Sequence, residues 1–307
     1  MTVLEAIQKS AGFLAKKGVD SPRLQTELLL AHLMNMPRMK LYLNFERTLL
    51  AAELDALREL VKRRGQREPL QHIVGSTSFF GLEIAVNRHV LVPRPETELV
   101  AELGWQFLTS HDIGAGSPPL PAAPPPAGAG PHNVTRRAST ALDFGTGSGC
   151  IAIALAAKCQ KAQIVAMDVS AEALVVAKQN AARNGVMQWI QFVQGGSFAA
   201  LPAGMRFDLI ISNPPYIPTT EIQSLQPEVR DYDPRAALDG GLDGLDFYRM
   251  FASNAAEWLK PDGKLMLEFG DGQADAVRRM FEAQLWIVEA VKPDYSHRPR
   301  ILIARRK

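Results

Sequence analysis

Two short segments carry most of the chemistry this sequence can offer. The first is Asn213-Pro214-Pro215-Tyr216, which follows the apolar run 207–212 (FDLIIS). Consecutive prolines remove two N–H donors and stiffen a turn while leaving its carbonyls free to accept. Asn213 adds a side-chain carbonyl and Pro214 a backbone one. Two acceptors converging on one point suit a neutral NH2 group: they orient it, favour its pyramidalisation and stabilise the positive charge that grows as it attacks. Tyr216 can lie against the planar group that carries the nitrogen. The plainer reading, a strand stopped by Pro-Pro, leaves the second segment unexplained.

That segment is Asp143-Phe144-Gly145-Thr146-Gly147-Ser148-Gly149, between a strand-like run and a helix that opens at Cys150. Glycines there let the backbone turn sharply and approach a ligand. A dinucleotide fingerprint needs its third glycine at the sixth position, which here is Cys150, so an NAD dehydrogenase is disfavoured. The GxGxG spacing with an acid two residues before it suits a ligand bearing a cationic amino group, which Asp143 could meet. Asp168 closes the next strand-like run, where a carboxylate can accept from both hydroxyls of a ribose. A nucleoside with an amino-bearing arm fits both features.

These segments need strand ends to hold them. After residue 140 strands and helices alternate: strands over 141–144, 164–168, 190–193, 207–212 and 264–269, helices over 150–159, 171–184 and 245–259 and after 272, then closing strands over 286–291 and 301–304. This alternation predicts a mostly parallel sheet wrapped by helices, with ligands beyond the carboxyl ends of its strands. Residues 3–65 instead show helical periodicity (Leu4, Ile7, Leu24, Leu28, Leu54, Leu57, Val61), with Asp20-Ser21-Pro22 as an N-cap followed by proline. The pattern becomes strand-like over 73–92, with turns at 79–82 and 87–88, and a helix follows over 97–108. The expected organisation is a small helical domain (1–72), a β-hairpin linker (73–92) and an α/β domain (93–307). Within the last, 111–139 is expected as a flexible insertion, because 114–131 is almost wholly Pro, Gly, Ala and Ser and offers no apolar face.

Composition narrows the function classes. The 34 Lys and Arg against 32 Asp and Glu give +2, no field for a nucleic-acid partner, and the longest apolar runs fall short of a membrane span. Arg58, Lys62, Arg63, Arg64 and Arg67 form the nearest basic cluster, but Glu59 and Glu68 interrupt it and a solvated helix face is expected. Two cysteines, Cys150 and Cys159, read as small buried hydrophobes, and six scattered histidines give no metal spacing. With no secretory h-region in the first twenty residues, the chain is expected in the cytoplasm, without a metal.

Taken together, the segments resemble an S-adenosylmethionine-dependent N-methyltransferase, and the chain resembles the protein-(glutamine-N5) methyltransferases that modify the GGQ glutamine of peptide chain release factors. The matching stretches are 67–73 (REPLQHI) with Gly75, 90–98 (VLVPRPETE), 142–149, 212–217 (SNPPYI), Glu228-Val229, Asp233-Pro234, 237–241 (ALDGG), Gly244-Leu245, Glu268-Phe269-Gly270 with Gln273, Asp294 and Arg300. NPPY alone is shared with adenine methyltransferases; the helical domain with VLVPRPETE belongs to the glutamine family. The resemblance implies a Rossmann-like seven-stranded domain, with Asp143, Gly145, Thr146, Gly147, Ser148, Gly149, Asp168 and Asn213 around S-adenosyl-L-methionine. It implies that Asn213, Pro214, Pro215 and Tyr216 bind the glutamine, and that the helical domain grips the release factor; the chain is expected as a monomer. Two departures stand out. Gly196-Ser197 replaces the acid and large residue that follow the third strand in the family, and Ser296-His297 replaces a glycine and a polar residue. A ribosomal-protein glutamine, an adenine N6 amine, or a nucleoside-binding module without catalysis are the alternatives.

Overall fold

The computed structural model describes residues 1–113, 138–160 and 162–307; most of the insertion expected over 111–139 lies outside them. The helical domain comprises α1 (Val3–Lys16), α2 (Pro22–Leu33), α3 (Arg38–Leu41), α4 (Ala51–Gly65) and α5 (Leu70–Val74). Thr2 caps α1 reciprocally with Glu5. The apolar stripes of α1, α2 and α4 meet in a core containing Ile7, Leu14, Leu29, Leu30 and Leu57. The expected cap of α2 differs. Ser21 holds the N-cap position at φ 46°, in the left-handed region, and its side chain makes no capping bond. Pro22 at the start of the helix supplies the preset φ there instead.

Strands β1 (Ser76–Phe79) and β2 (Leu82–Ala85) form the hairpin. Both turn residues, Phe80 (φ 51°) and Gly81 (φ 75°), are left-handed, as a two-residue hairpin turn of matching twist requires. Phe80 tolerates this because Glu98 accepts its N–H at 2.7 Å and its ring packs on Trp105. Glu98 and Trp105 lie on α6 (Pro95–Ile113).

The remaining chain runs β3 (Thr140–Phe144), α7 (Cys150–Lys158), β4 (Gln163–Asp168), α8 (Ala171–Arg183), β5 (Ile190–Gln194), β6 (Phe207–Ser212), α9 (Pro227–Arg230), α10 (Asp246–Asn254), β7 (Leu259–Glu268), α11 (Ala274–Ala283), β8 (Trp286–Pro293) and β9 (Pro299–Arg306). The seven strands order as β5-β4-β3-β6-β7-β9-β8, all parallel except β9, which is antiparallel to both neighbours. Side chains alternate between two buried faces: Ala141, Leu209 and Ile211 enter the core under α6 and α7, and Leu142, Ile210 and Leu265 the core under α10 and α11. Strand order reverses between β3 and β6, so the loops that follow these two strands open side by side. The helix expected over 245–259 is shorter. It ends at Asn254, a 3-10 turn covers Ala255–Trp258, and β7 begins at Leu259.

The helical domain is tied to the sheet domain by charge. Glu228 on α9 accepts from Arg64 Nη2 at 2.7 Å and, bidentately, from Arg67 Nε and Nη2, both at 2.6 Å. Tyr232 adds a bond from its hydroxyl to the Gln66 carbonyl. The solvated-face reading of the basic cluster therefore fails for Arg64, which is 3% exposed, and for half-buried Arg67. The sequence pattern reports helix faces, and the partner carboxylate lies 164 residues away. Among the described residues no helix is long and apolar enough to cross a membrane.

Candidate active site

The glycine loop leaves β3 at Phe144. Gly145, Gly147 and Gly149 all have positive φ (72°, 54° and 83°), which side chains disfavour. At Gly145 and Gly147 a Cβ would meet open space, so conformation and approach, not crowding, demand glycine. The Met167 carbonyl accepts the N–H of both Gly145 and Thr146, pinning the loop to β4. Asp168 Oδ2 accepts from Gly147 N–H at 2.8 Å and Oδ1 from Ser170 N–H at 2.9 Å. Each oxygen keeps a lone pair for a hydroxyl.

Asp143 takes a place different from the one expected of it. It lies beneath the loop, 0% exposed, with Oδ2 accepting from the Thr146 hydroxyl (2.6 Å) and Ala152 N–H (3.0 Å), so it shapes the loop instead of reaching the cavity. Burial pushes its carboxyl up to about 7, opposed by those two hydrogen bonds. Thr146 and Ser148 are likewise buried, and the Ser148 carbonyl accepts from Asn180, which also exchanges both backbone bonds with Ala85 of the hairpin. The hairpin thus braces the loop from behind.

On the neighbouring strand the Ser212 hydroxyl donates to the Phe144 carbonyl at 2.6 Å, which sets Asn213 beside Gly145. The Asn-Pro-Pro-Tyr turn is held from outside by the segment 238–241. Ile217 N–H donates to the Leu238 carbonyl, Gly240 N–H to the Ile217 carbonyl, and Thr219 N–H to the Gly241 carbonyl. Gly244 packs so closely that a Cβ would fall 2.3 Å from the Tyr216 carbonyl oxygen. That same oxygen accepts from Gln273 Nε2 at 2.9 Å.

Two cavities meet at this turn. One, about 270 Å³, is lined by Gly145, Gly147, Asp168, Val169, Asn213 and Phe247, among others. Its contents suit a nucleoside: Asp168 for hydroxyls, and Val169, 61% exposed against Gly196, for an apolar ring face. The second, about 210 Å³, is lined by Leu91, Arg94, Tyr216, Leu225, Val229 and Leu238. Asn213 and Pro214 belong to both walls, Pro215 lines the first and Tyr216 the second. A third hollow of about 380 Å³ between the two domains shares Arg94 and Val229 with the second. Of the residues singled out from the sequence, Asp143, Thr146, Ser148 and Gly149 are buried away from the cavities and the rest face one.

Residues 5–75 match the PrmC N-terminal domain and 132–226 the methyltransferase small domain. The release factor glutamine methyltransferase of Geobacter sulfurreducens is 44% identical over 91% of this chain and 88% of its own length. The chain belongs to the release factor glutamine methyltransferase family. A second member, from Chlorobaculum tepidum, is 39% identical over 96% of this chain and 94% of its own. Among solved structures, the hMettl16 catalytic domain in complex with MAT2A 3'UTR hairpin 6 shares the fold, with a TM-score of 0.50, 13% identity, and 83% and 82% of the two chains covered.

Family membership accounts for the expected seven-stranded α/β fold with its helical domain, and for the two motifs at the reversal point. It leaves several cavity-lining residues that the sequence did not single out. Val169 was within reach, since it follows Asp168 directly. Leu91 and Ala237 lie in the quoted stretches 90–98 and 237–241 but carried no site role there, and only the fold brings them and Phe247 to one cavity.

Proposed function

We propose that this chain transfers a methyl group from S-adenosyl-L-methionine to the side-chain amide nitrogen of the GGQ glutamine in peptide chain release factors. The products are N5-methylglutamine, S-adenosylhomocysteine and a proton, which the methylated nitrogen gives up to water after the transfer. The observation that carries this reading is the shared Asn213-Pro214 wall between a nucleoside-sized cavity and an apolar slot. When bound, S-adenosylmethionine supplies an electrophilic methyl on a sulfonium. Asp168 would hold its ribose, Gly145 and Gly147 would let the loop backbone approach its methionine arm, and Val169 would cover its adenine. Asp143, Thr146, Ser148 and Gly149 keep the loop in shape.

An amide nitrogen is a poor nucleophile because its lone pair is delocalised. Asn213 Oδ1 and the Pro214 carbonyl accept its two N–H groups, orient the lone pair and stabilise the charge that develops. Tyr216 and Leu91 confine the planar amide within the slot, and their apolar surface excludes water. The hollow between the domains leads toward this slot, so the helical domain and α9 would receive the protein segment that carries the glutamine. The chain is proposed to act as a soluble cytoplasmic monomer.

Methyl transfer to purified release factor, to ribosomal proteins and to DNA, run side by side, tests the reading. Release factor should be labelled at the GGQ glutamine, and a Gln→Ala release factor should not. Preferential labelling of ribosomal protein or DNA would overturn it.

A further inference from the structure

The residues nearest Asn213 pose a question that the NPPY motif does not answer. An asparagine amide has an accepting end and a donating end, and only the accepting end can hold a substrate NH2. Something must decide which end faces the slot. Asn213 Nδ2 donates to Thr97 Oγ1 at 3.0 Å, and the Thr97 hydroxyl donates to Glu268 Oε2 at 2.8 Å. Thr97 is 3% exposed and Glu268 1%. The three groups come from the turn after β6, from α6 and from β7, with Thr97 and Glu268 separated by 171 residues.

We infer that Thr97 and Glu268 are positioning residues that fix the polarity of the Asn213 amide through this relay; the inference rests on the proposed methyl transfer to a glutamine NH2. An ionised carboxylate can only accept. The Thr97 hydroxyl must then donate to Glu268, its oxygen must accept from Asn213 Nδ2, and Oδ1 is the end left for the substrate. A protonated Glu268 removes that constraint. Its O–H can donate to Thr97, the Thr97 hydroxyl can then donate onward, and the Asn213 amide can turn over to present a donor where the substrate nitrogen needs an acceptor.

The setting makes this switch accessible. Burial pushes the Glu268 carboxyl up to about 7, opposed by the Thr97 bond and by Arg300. The charged and titratable groups that act on it are Arg300, Arg94 and Glu96, with Tyr216, Tyr248 and Cys150 interacting from β6's turn, α10 and α7. With a raised value the relay is correctly set above it and lost as pH falls through it, giving an acid limb in kcat.

The full chain and its Thr97→Val, Thr97→Ser and Glu268→Gln variants provide the test, with two readouts. The first needs no turnover: the side-chain NH2 signal of Asn213, in protein labelled with 15N at asparagine, followed against pH. It should titrate in the wild type and Thr97→Ser and stay flat in Glu268→Gln. The second is kcat and KM for release factor at saturating S-adenosylmethionine. Thr97→Val should lower kcat by about 10- to 100-fold with KM little changed, Thr97→Ser should restore it, and Glu268→Gln should lose the acid limb. A folded Thr97→Val with wild-type kcat, or an Asn213 signal that titrates identically in Glu268→Gln, overturns the inference. A titrating relay in a protein that methylates no release factor overturns the proposed substrate alone.

Discussion

Arg64 and Glu228 stand 2.7 Å apart with side-chain exposures of 4% and 16%, and they join the helical domain to α9, the helix that follows the Asn-Pro-Pro-Tyr turn. Glu228 is held ionised: burial would raise its carboxyl, but the hydrogen bonds from Arg67 and Arg64 outweigh it and leave it lowered. Replacing Glu228 with Ala strands the Arg64 guanidinium without its carboxylate, which typically costs about 3 kcal/mol or more when the survivor is buried. The expected outcome is a lower unfolding midpoint and a KM for release factor raised about tenfold, with S-adenosylmethionine affinity unchanged. Urea unfolding, steady-state kinetics and calorimetry check the three parts. Because the pair is shielded, the stability loss should persist at high salt.

Tyr216 makes a contrasting prediction. Burial pushes its phenol up to about 12, so it stays neutral across the working range and cannot serve as a base. Its ring should matter and its hydroxyl should not. Tyr216→Phe should keep kcat within about twofold, whereas Tyr216→Ala should lose about 10-fold or more through a loosened slot. A large loss in Tyr216→Phe, measured at several pH values, would show that the hydroxyl has a role.

Asp143 links the glycine loop to stability. Its folded value of about 7 lies above the model-peptide value of 3.8, so between these the folded chain holds a proton that the unfolded chain has released. That contribution is full at low pH and disappears as pH rises through about 7. Asp143→Asn should therefore lose less stability than the wild type between pH 5 and 8, by on the order of 3 kcal/mol at most. Urea melts at both pH values, compared as a difference between the two proteins, isolate this group from Glu268 and from Asp233, whose carboxyl burial also raises. Equal pH slopes would contradict it.

The two chemical motifs were legible in the sequence because each is a short contiguous turn at a strand end, where local residue types fix backbone conformation. Gly145 and Gly147 announce positive φ, and Pro214-Pro215 announces a rigid turn. Residues acting across the fold were not legible in the same way. Thr97 lies in the VLVPRPETE stretch and Glu268 in the closing EFG, and nothing in either segment tells that one hydroxyl bridges them. Arg64 reads as one more charge on a basic helix until α9 is folded against it. Asp143 was misplaced for a related reason: spacing puts it next to the loop, but strand alternation at β3 turns its side chain into the protein. Ser21 shows the limit at a helix start, since residue type suggests a cap that the left-handed backbone does not use.

Asn213 carries the central claim, and its truncation tests it most directly. Release factor is incubated with S-adenosylmethionine and either the wild type or Asn213→Ala, and methylation is mapped by tandem mass spectrometry while calorimetry follows cofactor affinity. The wild type should place one methyl on the GGQ glutamine. Asn213→Ala should place none over the same period, with cofactor affinity within about tenfold of the wild type. Near wild-type turnover in Asn213→Ala, or a methyl on another residue, would contradict the account.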